Sequence, residues 1–311
     1  MDVTLAHRAE YWALRAVLGG LRALSWPRAT ELGASVGVLG YRPLGIRRGV
    51  VERQIEAAFP EKSRDEVRRV ARAAYEHLGR LTTETALLPS LQRKQVLALV
   101  EGVDGWELVQ EAMAARRGLF IVAGHLGNWE LAGSYLVARA IPVDAVVRRM
   151  SNPLFDAYLN ATRLRSGITV VYDEEAVRRT ARSVQAGRAV AFLVDQGVKN
   201  LASTYVPFFG RPAKTPRGPA VFALRWKVPV LFGAALRQPD GRYWLSFERV
   251  PVDDTGDLER DVDRVVAGYT EVLERWVRKA PEQYFWHHRR WKRQPDDTPV
   301  GLRDPVRFAR S

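Results

Sequence analysis

Residues 118–130 read Gly-Leu-Phe-Ile-Val-Ala-Gly-His-Leu-Gly-Asn-Trp-Glu, and this stretch decides the fold. Its apolar run, residues 119–123, has the length and composition of a buried β-strand. The glycines at 124 and 127 allow tight backbone turns and the close approach of a substrate. A helix then begins near Asn128. The stretch therefore predicts a strand, a turn and a helix, with His125 at the strand's carboxyl end, where open α/β sheets bind ligands.

The same alternation continues along the chain and predicts the fold class. Further apolar runs occupy residues 143–147, 168–172, 189–194 and 228–236. If residues 119–123 are counted as the first run, helical stretches separate the first four runs, at residues 128–139, 153–165 and 174–185. Asn152-Pro153 is a typical helix start. Strands and helices in this order indicate an α/β fold with a mostly parallel central sheet flanked by helices. One more strand at 243–250, expected at a sheet edge, and a long amphipathic helix at 258–279 complete the prediction.

The chain divides into three regions by composition. Helical periodicity dominates the first part, with a stop at Pro60 and a new start near Ser63. We therefore expect an N-terminal helical, membrane-associating region at 1–100, continuous with an α/β core at 101–295. The polar, proline-containing tail at 296–311 is expected to fray.

The N-terminal helix predicted at residues 11–26 carries two arginines, Arg15 and Arg22. It falls short of the roughly 20 apolar residues that span a membrane, and no signal peptide precedes it. Its apolar side chains lie broadly opposite the arginines on a helical wheel; they are Trp12, Leu14, Val17, Leu18, Leu21 and Leu24. This pattern is typical of a helix lying in a membrane interface, and equally of a helix packed on its own core.

The charge balance indicates an acidic partner. The 311 residues carry a formal net charge of +13, with an isoelectric point near 10.3. Such a surplus attracts nucleic acid, an anionic membrane leaflet or an acidic protein. The chain has no cysteine, which excludes disulfides, thiolate metal sites and a cysteine nucleophile. No cluster of His, Asp or Glu residues has the spacing of metal ligands either, so we expect no bound metal.

His125 and Glu130 form the candidate catalytic pair. Histidine is a good general base for an alcohol, and a carboxylate on its other ring nitrogen fixes the tautomer. Glu130 follows five residues later, on the first helical turn, within reach of the imidazole if the loop folds back. The alternative is a histidine that caps the helix and an exposed first-turn acid favoured by the helix dipole.

Several blocks, in order, resemble one family. The segment from Gly124 to Glu130 resembles the active-site block of the late acyltransferases of lipid A biosynthesis, the lauroyl and myristoyl transferases of the lysophospholipid acyltransferase superfamily. Supporting blocks are residues 148–153, 163–167, Asp195-Gln196 with 206–210, and 281–292. Two features depart from the family: the N-terminal helix is more charged, and Gln196-Gly197 follows Asp195 where lipid A enzymes often have histidine.

The resemblance implies an O-acyltransferase. It would move a fatty acyl chain from an acyl carrier protein or coenzyme A thioester to a hydroxyl of a lipid A precursor or related glycolipid. His125 would be the base and Glu130 its orienting partner, with no cofactor beyond the thioester co-substrate. The expected location is the cytoplasmic face of the inner membrane, on anionic lipids, as a peripheral or monotopic protein.

Arginines supply the candidate substrate-binding residues, because arginine suits phosphate groups. Arg148 and Arg149 follow a strand, and Arg163 and Arg165 lie near a helix end. They would bind phosphate on the acceptor or on the carrier arm. For Arg163 the alternative is a charge that complements the helix dipole.

The other candidate residues lie in the second half of the chain. Asp195 ends a strand at the same sheet edge as His125, and would hold an arginine or an acceptor hydroxyl, or simply cap a turn. Thr215 lies on a predicted pocket lip. Phe208 and Phe209 are candidates for an acyl pocket, with plain core as the alternative.

The aromatic and basic run at 284–292 allows two interpretations. One is a membrane-interface belt, with Trp286 and Trp291 at headgroup depth and Arg289 and Arg290 on phosphates. The other is a final strand with a solvated charged face.

Three rival functions were weighed. The nearest is a phosphatidylinositol-mannoside or other glycolipid or lysophospholipid acyltransferase, whose blocks are similar. A basic nucleic-acid-binding protein fits the charge, but no helix-turn-helix, zinc-finger or RNA-recognition signature is present, so no nucleic-acid partner is expected. A hydrolase would need a Gly-x-Ser-x-Gly elbow or a metal constellation, and neither is present.

Overall fold

A seven-stranded sheet forms the centre of the computed structural model, which describes residues 3–197 and 201–307. Its strands are β1 Val100–Asp104, β2 Leu119–Ala123, β3 Val143–Val147, β4 Thr169–Tyr172, β5 Ala189–Leu193, β8 Val230–Arg237 and β9 Tyr243–Val250. Their order is β1-β9-β8-β2-β5-β3-β4, and every neighbouring pair is parallel except β8 with β9. Two further strands, β6 Ser203–Phe208 and β7 Arg211–Pro216, form a separate antiparallel hairpin. The predicted fold class is confirmed.

Helices surround the sheet and form the N-terminal region. They are α1 Leu5–Leu21, α2 Trp26–Tyr41, α3 Arg48–Ala58, α4 Arg64–Leu87, α5 Arg93–Ala98, α6 Trp106–Ala114, α7 Trp129–Ala138, α8 Pro153–Arg165, α9 Ala176–Gln185, α10 Gly218–Trp226 and α11 Leu258–Lys279. Short 3-10 turns lie at Leu88–Ser90, Asp173–Glu175, Pro281–Gln283 and Val300–Leu302. The predicted helix starts are confirmed where side chains cap them, as Ser63, Asn128 and Asn152 do.

Alternate side chains of the central strands build two cores. On β2, Phe120 and Val122 face the core covered by α10 and α11, whereas Leu119 and Ile121 face the core covered by α6 and α7. A strand buried on both faces explains why this run is apolar throughout rather than alternating.

The strand register brings two chain segments together at one edge of the sheet. β2 and β5 are parallel neighbours, with Ala123 opposite Leu193. His125 and Asp195 each lie two residues beyond these partners, so both emerge side by side at the carboxyl edge.

Helix α1 presents one apolar face to the protein and another to the outside. Leu18 and Leu21 are buried against α2 and the end of α4, whereas Trp12 and Val17 are 65% and 45% exposed. The apolar side chains predicted for this helix therefore fall into two groups. Leu18 and Leu21 pack on the protein's own core, whereas Trp12 and Val17 face outward, as in a helix that lies in a membrane interface. Within the described residues, no helix has the length and hydropathy needed to cross a membrane.

Three parts of the topology differ from prediction. β9 is internal rather than an edge strand, because β1 pairs along its outer side. The sequence Val-Glu-Gly-Val-Asp of β1 is too polar to be recognised as a strand. The β6–β7 hairpin and helix α10 were also not predicted.

The tail does not fray within the described residues. Asp304 is buried and forms an ion pair with Arg289, and the Gln294 side chain donates to the carbonyl oxygen of Leu302 at 2.8 Å. These contacts tie residues 296–307 to the core, because buried charges require partners. Residues 308–311 lie outside the described residues.

The run at 284–292 is neither a strand nor a membrane belt. Trp286 and Trp291 are fully buried, and their indole nitrogens donate to the carbonyl oxygens of Pro281 and Phe208 at 2.6 and 3.2 Å. Indoles enclosed in this way cannot reach lipid headgroups. Both interpretations of this run were wrong.

Candidate active site

His125 is held by Asp195 through two contacts. Nδ1 of the imidazole lies 2.7 Å from Oδ1 of Asp195, and the backbone N–H of His125 donates to Oδ2 at 3.0 Å. Asp195 is 2% exposed, whereas the His125 side chain keeps 19% of its surface open. The two contacts fix both the ring and the backbone at the start of the loop after β2.

The ionisation of Asp195 decides the tautomer of His125. Burial alone raises the pKa of Asp195, but the charge and hydrogen bonds of His125, together with Arg290, outweigh it and bring the pKa to about 2. An ionised carboxylate can only accept, so Nδ1 of His125 donates to it. The lone pair of the neutral ring is therefore on Nε2, which is where a general base needs it.

Glu130 does not make the predicted contact with the imidazole. Its carboxylate is bound by Arg163, with Nη2 to Oε1 at 2.5 Å and Nε to Oε2 at 3.1 Å, and by the indole N–H of Trp129 at 3.1 Å. The Trp129 ring packs edge-on against the His125 ring, with centroids 4.8 Å apart. The expected pairing is thus corrected: the carboxylate on His125 belongs to Asp195. The tryptophan occupies the space beside the ring, and the arginine draws Glu130 toward α8.

Backbone hydrogen bonds hold the loop that carries His125. The N–H groups of Gly127 and Asn128 donate to the carbonyl oxygens of Gln283 and Ala235, at 3.0 and 2.9 Å. Gly127 has a φ of +61°, and a Cβ there would lie 1.9 Å from the oxygen of Ala235. Only glycine fits this position, because both the conformation and the close approach exclude a side chain.

A buried polar cluster lies behind this loop. The fully buried carboxylate of Glu84 accepts hydrogen bonds from Asn128 Nδ2, at 2.7 Å, and from the Tyr243 hydroxyl. Burial raises the pKa of Glu84, although Tyr243, Arg237 and Asn128 oppose the shift. Helix α4 is thereby joined to Asn128, the residue that caps the start of α7.

Replacing Glu84 by alanine is expected to lower the free energy of unfolding by about 2 to 4 kcal/mol, because two buried donors lose their acceptor. Urea unfolding followed by circular dichroism measures the change. Glu61, which is exposed, provides the matched alanine control. A Glu84→Ala protein as stable as the control would show that the cluster contributes nothing.

Two predicted substrate-binding residues are buried beneath the site. Arg290 is 2% exposed and donates to the carbonyl oxygen of Lys214 and to Oγ1 of Thr215, both at 2.6 Å. Burial lowers its pKa, while Tyr284 and Asp195 raise it. The buried Arg290 and Thr215 side chains do not face an incoming substrate. These two predictions are corrected, and Arg290 instead provides positive charge near Asp195. Arg289 is 26% exposed and pairs with Asp304, so its role in substrate binding stays a prediction.

Arg163, only 12% exposed, binds Glu130 instead of a substrate phosphate, whereas the other three predicted arginines are largely exposed. Arg149 stacks over the Tyr172 ring at 3.9 Å and pairs with Glu174, whereas Arg148 lies 4.0 Å from Asp173 and is 57% exposed. Both follow β3 at the carboxyl edge of the sheet and are open to a ligand. Arg165 is also exposed.

Phe208 and Phe209 lie in an aromatic cluster. Phe208 is fully buried, with its ring 4.9 Å from Phe209, 5.9 Å from Tyr284 and 6.0 Å from Trp291. This packing is what the core alternative expects. A role in lining an acyl pocket stays a prediction.

Three residues around His125 were not among the predicted site residues. The Gln196 amide nitrogen lies 3.3 and 3.4 Å from the two ring nitrogens. Trp129 packs against the ring, and the Phe285 ring centroid is 6.0 Å away. All three residues fall within motif blocks of the sequence, which was the available signal. The site therefore combines a fixed base, a buried anion behind it and an aromatic and amide border, an arrangement suited to deprotonating a hydroxyl.

Comparisons with known proteins identify the family that this chain matches. The model of the family "Bacterial lipid A biosynthesis acyltransferase" matches residues 2–293. The lipid A biosynthesis lauroyltransferase of Escherichia coli (strain K12) is 29% identical over 296 residues, covering 93% of each chain. The palmitoleoyltransferase of the same organism is 25% identical over 290 residues, covering 92% of this chain and 93% of its own. The phosphatidylinositol mannoside acyltransferase of Mycobacterium tuberculosis (strain ATCC 25618 / H37Rv) is 28% identical over 198 residues, 60% of each chain.

Proposed function

The chain belongs to the bacterial lipid A biosynthesis acyltransferase family, and we propose that it transfers a fatty acyl chain from an acyl carrier protein or coenzyme A thioester to a hydroxyl of a lipid A precursor. It is an O-acyltransferase of glycolipids. The single observation that carries the mechanism is the 2.7 Å contact between His125 and Asp195.

The proposed reaction needs no enzyme nucleophile. Nε2 of His125 takes the proton of the acceptor hydroxyl as its oxygen attacks the thioester carbonyl carbon, which forms the new C–O bond. The tetrahedral intermediate collapses when the C–S bond breaks, and the leaving thiolate takes the proton from the imidazolium. Asp195 stabilises the imidazolium between these two steps.

Glu130 has a positioning role in this proposal. Its carboxylate joins Arg163 on α8 to the indole of Trp129, which packs on the His125 ring. The Glu130 and Arg163 side chains are only 9% and 12% exposed, so losing either charge leaves the other poorly solvated.

Glu130→Gln is expected to lower kcat about tenfold and stability by roughly 1 to 3 kcal/mol, because Arg163 loses its partner. Arg163→Gln should lower kcat and stability to a similar extent. The double variant Glu130→Gln/Arg163→Gln should recover part of the stability, because neither charge is then left buried without its partner. Steady-state kinetics and urea unfolding measure both effects. A loss in Glu130→Gln as large as that of His125→Ala, without a stability change, would instead place Glu130 in the proton transfer itself.

The surface of the protein suits an acidic donor. Acyl carrier proteins are acidic in general, and the formal charge of +13 attracts them over distance. Arg148 and Arg149, open at the carboxyl edge of the sheet, are the proposed contacts for the phosphate of the carrier arm or of coenzyme A.

The first helices are the proposed membrane contact. Exposed large apolar side chains concentrate there; they include Leu5, Trp12, Val17, Leu24, Leu32, Val36, Leu39, Leu44 and Ile46. Apolar surface of this extent beside basic residues is typical of proteins that lie on an anionic leaflet. We place this face on the cytoplasmic side of the inner membrane.

The test is a reconstituted transfer. Purified protein is incubated with an acyl-carrier-protein or acyl-coenzyme A donor and, in separate reactions, a lipid A precursor, a phosphatidylinositol mannoside and a lysophospholipid. Mass spectrometry should show one added acyl chain on the lipid A precursor. Transfer only to the mannoside or the lysophospholipid would replace the proposed acceptor, and transfer to none would contradict the proposed function.

A further inference from the structure

A groove lined by three arginines lies between α1 and α8. Its lining residues are Arg15, Arg22, Ala86, Pro89, Ser90 and Arg165, none of them acidic, and its volume is about 330 Å³. Since a water occupies about 30 Å³, the groove has room for a phosphate with part of a headgroup.

The three arginines come together through helix geometry. Arg15 and Arg22 are seven residues apart, close to two turns, so they lie on one side of α1. Arg165 ends α8, which packs against α1. Arg163, in the same turn of α8, points the other way and binds Glu130 in the active site. The groove is therefore separated from the active site by one helix.

The positive charge in this groove is not neutralised by the described residues. Arg15 contacts only neutral groups, donating to the Tyr11 hydroxyl at 3.3 Å and lying over the Tyr158 ring at 5.2 Å. Arg165 contacts Thr162 Oγ1 at 3.4 Å. No carboxylate among residues 3–197 and 201–307 forms an ion pair with any of the three arginines. Clustered guanidinium groups repel one another until an anion lies between them.

A second basic groove provides a contrast. Arg178, Arg179, Arg182 and Arg188 line it, but Glu175 lines it as well and pairs with the first two. Arg188 pairs with Asp144. In that groove two carboxylates offset half of the four arginine charges, whereas no acidic residue lines the α1–α8 groove or pairs with its arginines.

The position of the α1–α8 groove indicates the source of its anion. Trp12 was expected opposite the arginines, but it is three residues before Arg15 and therefore lies only about 60° from it around the helix, on the exposed side of α1. If the apolar face is immersed in a leaflet, arginines beside it reach the depth of lipid phosphates. Arginine also matches phosphate geometry through paired hydrogen bonds.

We propose that the α1–α8 groove binds the phosphate group of a membrane lipid through Arg15, Arg22 and Arg165. This proposal rests on the proposed membrane seat of α1. It adds an anionic-lipid site that is separated from the active site by one helix. A lipid phosphate bound there holds α8, and with it Arg163, against α1, the membrane-facing helix.

The first experiment measures binding of the full chain to phosphatidylcholine vesicles containing phosphatidic acid. The triple variant R15Q/R22Q/R165Q is compared with R178Q/R179Q/R182Q, which removes the same number of positive charges from the second groove, where Glu175 already pairs with two of the arginines. The first triple should bind at least tenfold more weakly than the second, because lost charge-assisted hydrogen bonds add to the shared loss of charge. Equal weakening of both would overturn the proposal. The variant R15K/R22K/R165K keeps the three positive charges. It should recover part of the vesicle binding that R15Q/R22Q/R165Q loses, because the charge of the groove, and not a loss of structure, causes the weaker binding.

The second experiment identifies the lipid. KM is measured for the phosphorylated acceptor and for the same acceptor after phosphatase treatment. A rise of KM in R15Q/R22Q/R165Q for the phosphorylated acceptor alone assigns the groove to the acceptor's phosphate. Weaker vesicle binding with unchanged KM assigns it to a neighbouring phospholipid. Repeating the vesicle measurement in His125→Ala separates this proposal from the proposed catalysis, because binding does not require turnover.

Discussion

His125→Ala lowers kcat for acyl transfer by about 10³- to 10⁴-fold, the range expected when a positioned general base is removed. The loss falls on kcat rather than KM, because the base acts on the proton that moves in the transition state. Transfer from a labelled acyl thioester to the glycolipid, followed by mass spectrometry, measures the residual rate.

The controls for His125→Ala address folding and site specificity. His125 is partly open and is held by one side-chain carboxylate, so its truncation leaves the two cores intact. Circular dichroism and urea unfolding should therefore remain close to those of the parent protein. His7→Ala, at the start of α1, should keep full kcat. Turnover by His125→Ala within a few-fold of the parent rate would remove this residue from the mechanism.

Asp195→Asn lowers kcat by about 10²- to 10⁴-fold although the substitution is nearly isosteric. Asp195 accepts from both the backbone N–H and Nδ1 of His125. An asparagine has only one oxygen, and if it serves the backbone, its NH₂ faces Nδ1. The ring must then place its proton on Nε2, where the lone pair is needed, and the negative charge beside the imidazolium is lost as well.

Asp144→Asn provides the matched control for that substitution. Asp144 is also a buried aspartate, 4% exposed, and it pairs with Arg188 at 2.5 Å. It is the second residue of β3 and lies near the opposite end of the strands from His125. Its amide variant should lose stability but keep kcat. If both variants lost kcat alike, a general effect of buried aspartates rather than the tautomer of His125 would explain the result.

Local sequence patterns were sufficient to predict most strands of the sheet and one residue of the catalytic pair, His125. The runs that became β2, β5 and β8 are apolar because they are buried on both faces, so they are visible in the sequence. The runs that became β3 and β4 are partly exposed but short and rich in valine, which was sufficient to recognise them as strands. The placement of His125 at the carboxyl edge followed from the run before it. The family blocks, in order, indicated the O-acyltransferase that the comparisons support.

The partner of His125 depends on information that the sequence does not display locally. Glu130 is near in the chain, but Asp195, seventy positions away, is near in space because β5 lies beside β2. Strand order results from the packing of the whole sheet, and periodicity carries no record of it. The aromatic and basic run at 284–292 misled for a related reason: Trp291 and Arg290 donate to the carbonyl oxygens of Phe208 and Lys214, which belong to a segment distant in the sequence.

A double-variant cycle on His125 and Asp195 tests the central claim most directly. The rate of acyl transfer to the glycolipid is measured for the parent, His125→Ala, Asp195→Asn and the double variant. Because the two residues act as one unit, the double variant should be no slower than His125→Ala alone. If the two losses instead multiplied, each residue would act independently, and the account of a base oriented by the neighbouring strand's carboxylate would be contradicted.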